Sequence, residues 1–195
     1  ELPTLIQNLH PNLDLIPGSL NSIFYGKNTN GDYEQALHNL IKRKKLRNKY
    51  KYIIIDCPPT YSSYTVSAIL ASDFYVIPVK PDAYSALGID LLEKVITKIK
   101  GTYDDTFSLK PIHNLRIIFT KYDKMAKRET TIKNDIQNAR PFDEMYKFSA
   151  SFPQQDGLAT QKLNYVITHN GNSVLNDSIE EIGDELIKEV EKYEK

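Results

Sequence analysis

The sequence predicts an α/β fold, a mostly parallel sheet flanked by helices. Three apolar runs, Tyr52–Ile55, Phe74–Val79 and Leu115–Thr120, have the length and continuous hydrophobicity of strands covered on both faces. Helical patterns lie between them, so strands alternate with helices and the crossovers should be right-handed. The chain has 195 residues and no internal repeat, low-complexity tract or linker, which fits one α/β domain over residues 1–195 with room for a real core.

In chain order, residues 12–18 read as a short strand stopped by Pro17-Gly18. Gly26 to Asp32 is polar and loop-like. Tyr33 to Leu46 reads as a helix, with Asp32 as N-cap and Tyr33, Leu37, Leu40, Ile41 and Lys44 at helical spacing. Tyr52–Ile55 runs directly into Asp56. Thr65 to Ala71 reads as a helix. Phe74–Val79 carries Pro78, which argues against a central strand. Asp82 is placed to cap a helix running to Lys100, with Leu87, Leu91, Val95 and Ile99 recurring every fourth position. Leu115–Thr120 is the next strand and Thr130 to Asn138 the next helix. Pro141 to Asn176 is mixed and yields no pattern. From Asp177 a last amphipathic helix carries Ile179, Ile182, Leu186 and Val190 on one stripe and acids on its polar face.

Composition narrows the function. Hydrophobic residues make up 41% and charged residues 26%, ordinary for a globular chain. With 25 Lys+Arg against 25 Asp+Glu, the net charge is zero, which excludes a globally basic nucleic-acid binder but leaves room for a local patch. Cys57 is the sole cysteine, so an intramolecular disulfide and a multi-cysteine metal site are both excluded, as fits a reducing compartment. No apolar run approaches the roughly 18 residues of a membrane span. His10, His38, His113 and His169 lack metal-ligand spacing, Ser62 and Ser63 lack a nucleophile elbow, and Cys57 reads as a small buried residue.

Ligands of open α/β sheets bind beyond the carboxyl ends of the strands. Asp56 stands at such an end. An acid there can hold Mg²⁺ beside nucleotide phosphates, and Mg²⁺ needs only one or two carboxylates with waters and phosphate. It can equally be a residue that caps the strand.

The surrounding residues carry a resemblance. Ile53-Ile54-Ile55-Asp56-Cys57-Pro58-Pro59 resembles the ParA/MinD pattern of apolar strand, Asp, any residue and Pro-Pro. Residues 12–20 resemble the ParA segment upstream of that strand. Residues 71–79, odd proline included, resemble the strand that follows it. Pro81-Asp82-Ala83-Tyr84-Ser85-Ala86-Leu87-Gly88 resembles the family's helix start, and Thr120-Lys121-Tyr122-Asp123 its Thr-x-x-Asp. Order and spacing hold from about Asn12 to Asp123. Phe152-Pro153-Gln154 stands where the family has Ile-Pro-Arg, with Gln154 in place of the Arg.

The resemblance implies a partition ATPase of the P-loop class that binds ATP and Mg²⁺ and forms a homodimer. It implies binding to non-specific DNA, stimulation by a ParB-like centromere-binding protein, and a cytoplasmic, nucleoid-associated location without a membrane partner. It assigns Asp56 to Mg²⁺. Thr120, Asp123 and Pro153 fall to the base pocket, and Pro58, Pro59 and Asp82 to the switch and dimer region. Lys124, Lys127 and Arg128, with Lys121 beside them, fall to DNA. The acidic last helix separates the chain from MinD-type relatives, which end in a basic membrane-binding helix. Iron-protein relatives need more than one cysteine per chain. A non-catalytic adaptor of the same fold, or a positioning ATPase with another cargo, are the rival readings.

A phosphate-binding loop, G-x-x-x-x-G-K-[ST], is missing from the sequence. Gly26-Lys27-Asn28-Thr29 fails at both ends: Asn21 stands at the first glycine position and Asn28 where Ser or Thr must follow the Lys. In the family that loop and the acidic switch lie upstream of the Asn12 segment, hence before Glu1. The expectation is an N-terminally incomplete ATPase in which no catalytic residue is present and which alone is inactive.

Lys42, Arg43, Lys44, Lys45, Arg47, Lys49 and Lys51 form a second basic run. It reads either as a solvated helix end, where cations suit the dipole, or as a phosphate-contacting surface.

Overall fold

Parallel strands organise the larger part of the molecule. In the computed structural model, which describes residues 5–18, 31–58, 61–138, 147–154 and 173–193, the chain divides into two compact units, Glu1–Ala71 and Ser72–Lys195.

In the second unit β3 (Phe74–Val79), β4 (His113–Tyr122) and β5 (Lys147–Pro153) form a parallel sheet in the order β3-β4-β5. Each crossover carries a helix, as parallel neighbours require. α5 (Ser85–Thr102) and the short α6 (Asp104–Leu109) connect β3 to β4, and α7 (Lys127–Asn138) follows β4. α8 (Ser173–Glu191) packs on β5 and β4. Ile117 and Phe119 of β4 are wholly buried at 0% exposure, in one cluster with Ile77, Val79, Ile89 and Ile136. Pro78 does sit in a strand, but β3 has only β4 as neighbour among the described residues, so the missing N–H breaks no second ladder.

The first unit pairs β1 (Gln7–His10) with β2 (Leu13–Leu15) in an antiparallel hairpin. α1 (Gly31–Glu34), α2 (Ala36–Arg43) and α3 (Leu46–Lys49) follow, then α4 (Ser63–Ala71). Ile41, Leu46 and Ala71 form its buried cluster, lined by Leu37, Tyr50 and Ile55.

Several expectations are corrected. Tyr33 to Leu46 is three short helices rather than one, and Asp32 lies inside α1 rather than ahead of it. The second break is at Lys45, whose φ of 51° places it in the left-handed region, where α2 must end. Tyr52–Ile55 is no strand among the described residues, and Ile54 is 88% exposed. A hydrophobic run becomes a strand only when a neighbour completes its ladder, and no described segment pairs with it. On α5 the buried stripe is Ile89, Ile96 and Ile99, with Leu92 beside it, and Leu87 and Leu91 face outward at 58% and 52% exposure. Strict fourfold spacing drifts around a helix of 3.6 residues per turn, and the 3-4-3 pattern stays on one face. α6 and β5 were not foreseen. The Gly26–Thr29 stretch lies outside the described residues.

Carboxylates tie elements together. Glu93 of α5 accepts from Tyr75 of β3 at 3.0 Å and from Asn114 of β4 at 2.8 Å. Burial, then the charge of Glu93 beside it, pushes the Tyr75 phenol up. In the first unit Asp14 accepts from Tyr50 Oη, from Lys49 Nζ at 3.1 Å and from Asn8 Nδ2 at 2.9 Å. Those donors, Tyr50 foremost, lower the Asp14 carboxyl to about 2.

Truncating Phe119 to Ala should cost about 3–5 kcal/mol in urea unfolding, whereas Leu87→Ala should stay within about 0.5 kcal/mol of the parent. Because the Asp14 carboxyl is lowered in the folded chain to about 2, its contribution stands above the unfolded value near pH ~3.9 and is lost as pH falls through the folded value. The melting-temperature gap between the parent and Asp14→Asn should therefore close as the pH is taken from about 5 to about 2; a gap constant over that range would overturn the assignment.

Candidate functional site

Because β3, β4 and β5 run the same way, the loops after them gather at one edge of the sheet. Four residues singled out from the sequence stand there: Asp82 after β3, Thr120 and Asp123 at the end of β4, and Pro153 at the end of β5. Tyr122 is in register with Pro153, and the Gln154 amide donates to the Tyr122 carbonyl at 3.2 Å. The backbone thus fixes the end of β5 against the Thr-x-x-Asp turn.

That turn is held by its own side chains. Asp123 Oδ1 accepts from the Met125 amide at 2.8 Å, and the Asp123 amide donates to Glu129 Oε2 at 2.8 Å. The Ala126 amide closes the turn on the Asp123 carbonyl at 3.1 Å, and Tyr122 Oη meets Thr130 Oγ1 at 3.2 Å. Lys121, at φ 50°, bends the strand end where the ladder register shifts. Asp123 Oδ2 has no partner among the described residues, which leaves an acceptor at the sheet edge. Glu129 was not foreseen. Its signal is an acid in the first turn of α7, hidden because the helix was expected to begin at Thr130 rather than Lys127.

Asp82 organises the β3–α5 connection without being the helix cap. Its Oδ1 accepts from the Tyr84 amide at 3.0 Å and from Ser85 Oγ at 2.9 Å, and Ser85 Oγ also reaches the Lys80 carbonyl. The N-cap position is Tyr84, which makes no side-chain cap bond. An Asx turn satisfies the amides ahead of the helix instead.

Lys124, Lys127 and Arg128 are all exposed, in the turn and at the start of α7. Lys133, further along α7, turns inward over the Phe119 and Tyr122 rings at 5.2 and 4.6 Å.

In the first unit Asp56 is exposed and makes no hydrogen bond or ion pair among the described residues. Its charge joins the larger effect of desolvation in raising the Cys57 thiol, which keeps that side chain protonated. Cys57 is exposed, against the expectation of burial. Pro58 is exposed, and Pro59 lies outside the described residues. Among the described residues no three His, Cys, Asp or Glu side chains gather as metal ligands. A lone unpaired carboxylate still suits Mg²⁺, which keeps most of its shell as water and phosphate. No helix among the described residues is long and apolar enough to cross a membrane.

A family profile described as an AAA domain, AAA_31, matches residues 3–109, more than half of the chain. The chain belongs to that family and is ParA-like. An uncharacterized protein of Methanocaldococcus jannaschii is 32% identical to it over 130 residues, 65% of this chain and 48% of that protein. The chromosome partitioning protein ParA of Caulobacter vibrioides is 23% identical over 131 residues, 65% of this chain and 46% of that one. The ParA-like chain thus spans about half the length of the curated relatives it matches. A Borrelia burgdorferi B31 protein assigned to plasmid partition and solved with AMPPNP shares the fold, with a TM-score of 0.68 at 19% identity, covering 96% of this chain and 68% of that one.

Removing the Glu129 carboxylate in Glu129→Ala should lower the melting temperature by about 2–4 °C, the shift that about 1 kcal/mol gives at this size. Glu129→Gln keeps an acceptor for the Asp123 amide and should recover most of that loss. Equal losses in both variants would show that the charge, not the turn bond, carries the effect.

Proposed function

We propose that the intact protein is a DNA-partition ATPase that binds ATP with Mg²⁺, dimerises, and binds DNA without sequence preference. In this reading a ParB-like centromere-binding protein stimulates it, and it works in the cytoplasm on the nucleoid. The observation that carries the reading is the meeting of Asp82, Thr120, Asp123 and Pro153 at the carboxyl edge of one parallel sheet, in the order the ParA resemblance requires. Thr120, Asp123 and Pro153 would border the base, with the second Asp123 oxygen left to accept from its amino group. Asp56 would hold Mg²⁺, which when bound neutralises phosphate charge. Pro58, Pro59 and Asp82 would belong to the switch and dimer region, and Lys124, Lys127 and Arg128 would contact DNA. The profile match runs across both units, which supports one domain over residues 1–195 as the part of a longer ATPase.

Phosphoryl transfer depends on positioning and on charge stabilisation around the phosphates. Residues 1–195 carry no phosphate loop. The 195-residue chain should therefore hydrolyse ATP no faster than a buffer control, whereas the intact protein should show Mg²⁺-dependent turnover. In the intact protein Asp56→Asn should cut that turnover by about 100-fold or more, since even residues supporting a metal ligand are worth about 10–100-fold. Turnover by the short chain, or an unchanged rate in Asp56→Asn, would sink the corresponding assignment.

A further inference from the structure

The second basic run becomes a defined surface once folded. Residues 35–55 hold seven Lys and Arg and no Asp or Glu, in a chain whose net charge is zero. The run lies at the corner where α2 ends and α3 begins. Ile41 on one side and Leu46 on the other are buried in the same cluster, so the corner is pinned from within. Lys45 is held there at φ 51°, a conformation that is strained for an L-residue and persists only when its surroundings impose it.

The cations sort into two kinds. Lys49 is committed to Asp14 and Tyr50, and Arg47 donates to the Ala71 carbonyl at 3.2 Å. Both serve the fold. Lys42, Arg43, Lys44 and Lys45 are exposed and have no acidic partner among the described residues. Lys51 lies over the ring of Tyr52, itself exposed. The helix dipole accounts only for Lys42 and Arg43, the basic residues of the last turn of α2. Lys44 and Lys45 add like charge beyond what the helix end can use, at a cost in repulsion that an ordinary solvated face relieves by mixing signs.

We propose that this corner binds the phosphate backbone of duplex DNA, as a contact separate from Lys124, Lys127 and Arg128. The inference rests on the DNA-binding part of the proposed function. Duplex DNA offers a negative charge per about 1.7 Å of axis, dense enough to meet four clustered cations. A bilayer is the poorer partner. Surface-bound helices insert an exposed apolar face, and the apolar residues that flank Lys42–Lys45, Ile41 and Leu46, are buried.

The test is fluorescence anisotropy of the full chain with a labelled random-sequence duplex over a series of salt concentrations. Lys44→Gln/Lys45→Gln should weaken binding and flatten the slope of log affinity against log salt by about 2, near 0.9 for each lost phosphate contact. Lys127→Gln/Arg128→Gln should give its own loss, and the two should add. The charge-matched control Lys98→Gln/Lys188→Gln should leave the slope unchanged, and equal melting temperatures should show that all variants fold. An unchanged slope in Lys44→Gln/Lys45→Gln, with a loss in Lys127→Gln/Arg128→Gln, overturns this inference and leaves the DNA-binding reading standing. A parent chain that binds no duplex overturns both. Co-sedimentation with phosphatidylserine vesicles that depends on Lys44 and Lys45, without duplex binding, assigns the corner to a membrane and overturns the inference as well.

Discussion

The parallel pairing of β4 with β3 and β5 is the constraint on which the second unit depends. Parallel strands cannot be joined by tight turns, so each must be followed by a crossover long enough to return to the starting edge. The crossovers supply α5 and α7, which cover the β4 residues Ile117 and Phe119 and remove them from water. The same geometry sends the loops after β3, β4 and β5 to one edge. Residues 82, 120, 123 and 153, far apart in sequence, become neighbours of that edge because the strand direction leaves no other place for them.

Burial alone would leave this assembly with unsatisfied polar groups, and carboxylates meet that need in three places. Glu93 joins α5 to both β3 and β4 through Tyr75 and Asn114. Glu129 takes the Asp123 amide and holds the turn that ends β4. Glu185 of α8 accepts from the Ser149 and Ala150 amides at 2.9 and 3.2 Å, and from the Ser149 hydroxyl. These lie where the β4–β5 register shifts, so the residues between Ile117 and Phe119 on one strand face a longer stretch on the other. Amides turned out of the ladder by that shift would otherwise offer an open edge for another strand, and the helix carboxylate covers them.

What could be read from the sequence divides along the same physical line. Phe74–Val79 was legible to the residue, and the Leu115 strand to within a few positions, because buried strands are continuous apolar runs. Asp82, Thr120 and Asp123 were legible as candidates only through their resemblance to ParA motifs; the parallel strand direction then puts all three at one sheet edge. β5 was not, since Lys147–Pro153 alternates small and polar residues with Phe148 and Ala150, the two buried positions. The outward Leu87 and Leu91 misled the reading of α5, because fourfold recurrence looks helical although three-and-four spacing decides which face is buried. Tyr52–Ile55 misled it in the opposite sense. Its composition is that of a strand, but ladder hydrogen bonds belong to a pair of segments, and composition describes only one of them.

Net charge misleads in a related way. A chain with equal numbers of acids and bases suggests a mixed surface, yet Glu93, Glu129 and Glu185 are engaged on backbone amides, Tyr75 and Asn114, while Lys42–Lys45 at the α2–α3 corner have no acidic partner among the described residues. Among the described residues Asp14 pairs with Lys49 of the run, and it is held by Tyr50, Lys49 and Asn8 rather than by Lys44 or Lys45. Potential near a surface depends on charges within about a Debye length, roughly 8–10 Å in physiological salt, not on the sum over the molecule. The left-handed Lys45 adds a backbone cost to the electrostatic one at the same point. Two unfavourable features placed together, between the buried Ile41 and Leu46, argue that the surroundings fix the geometry and that the charge is directed at something outside the chain.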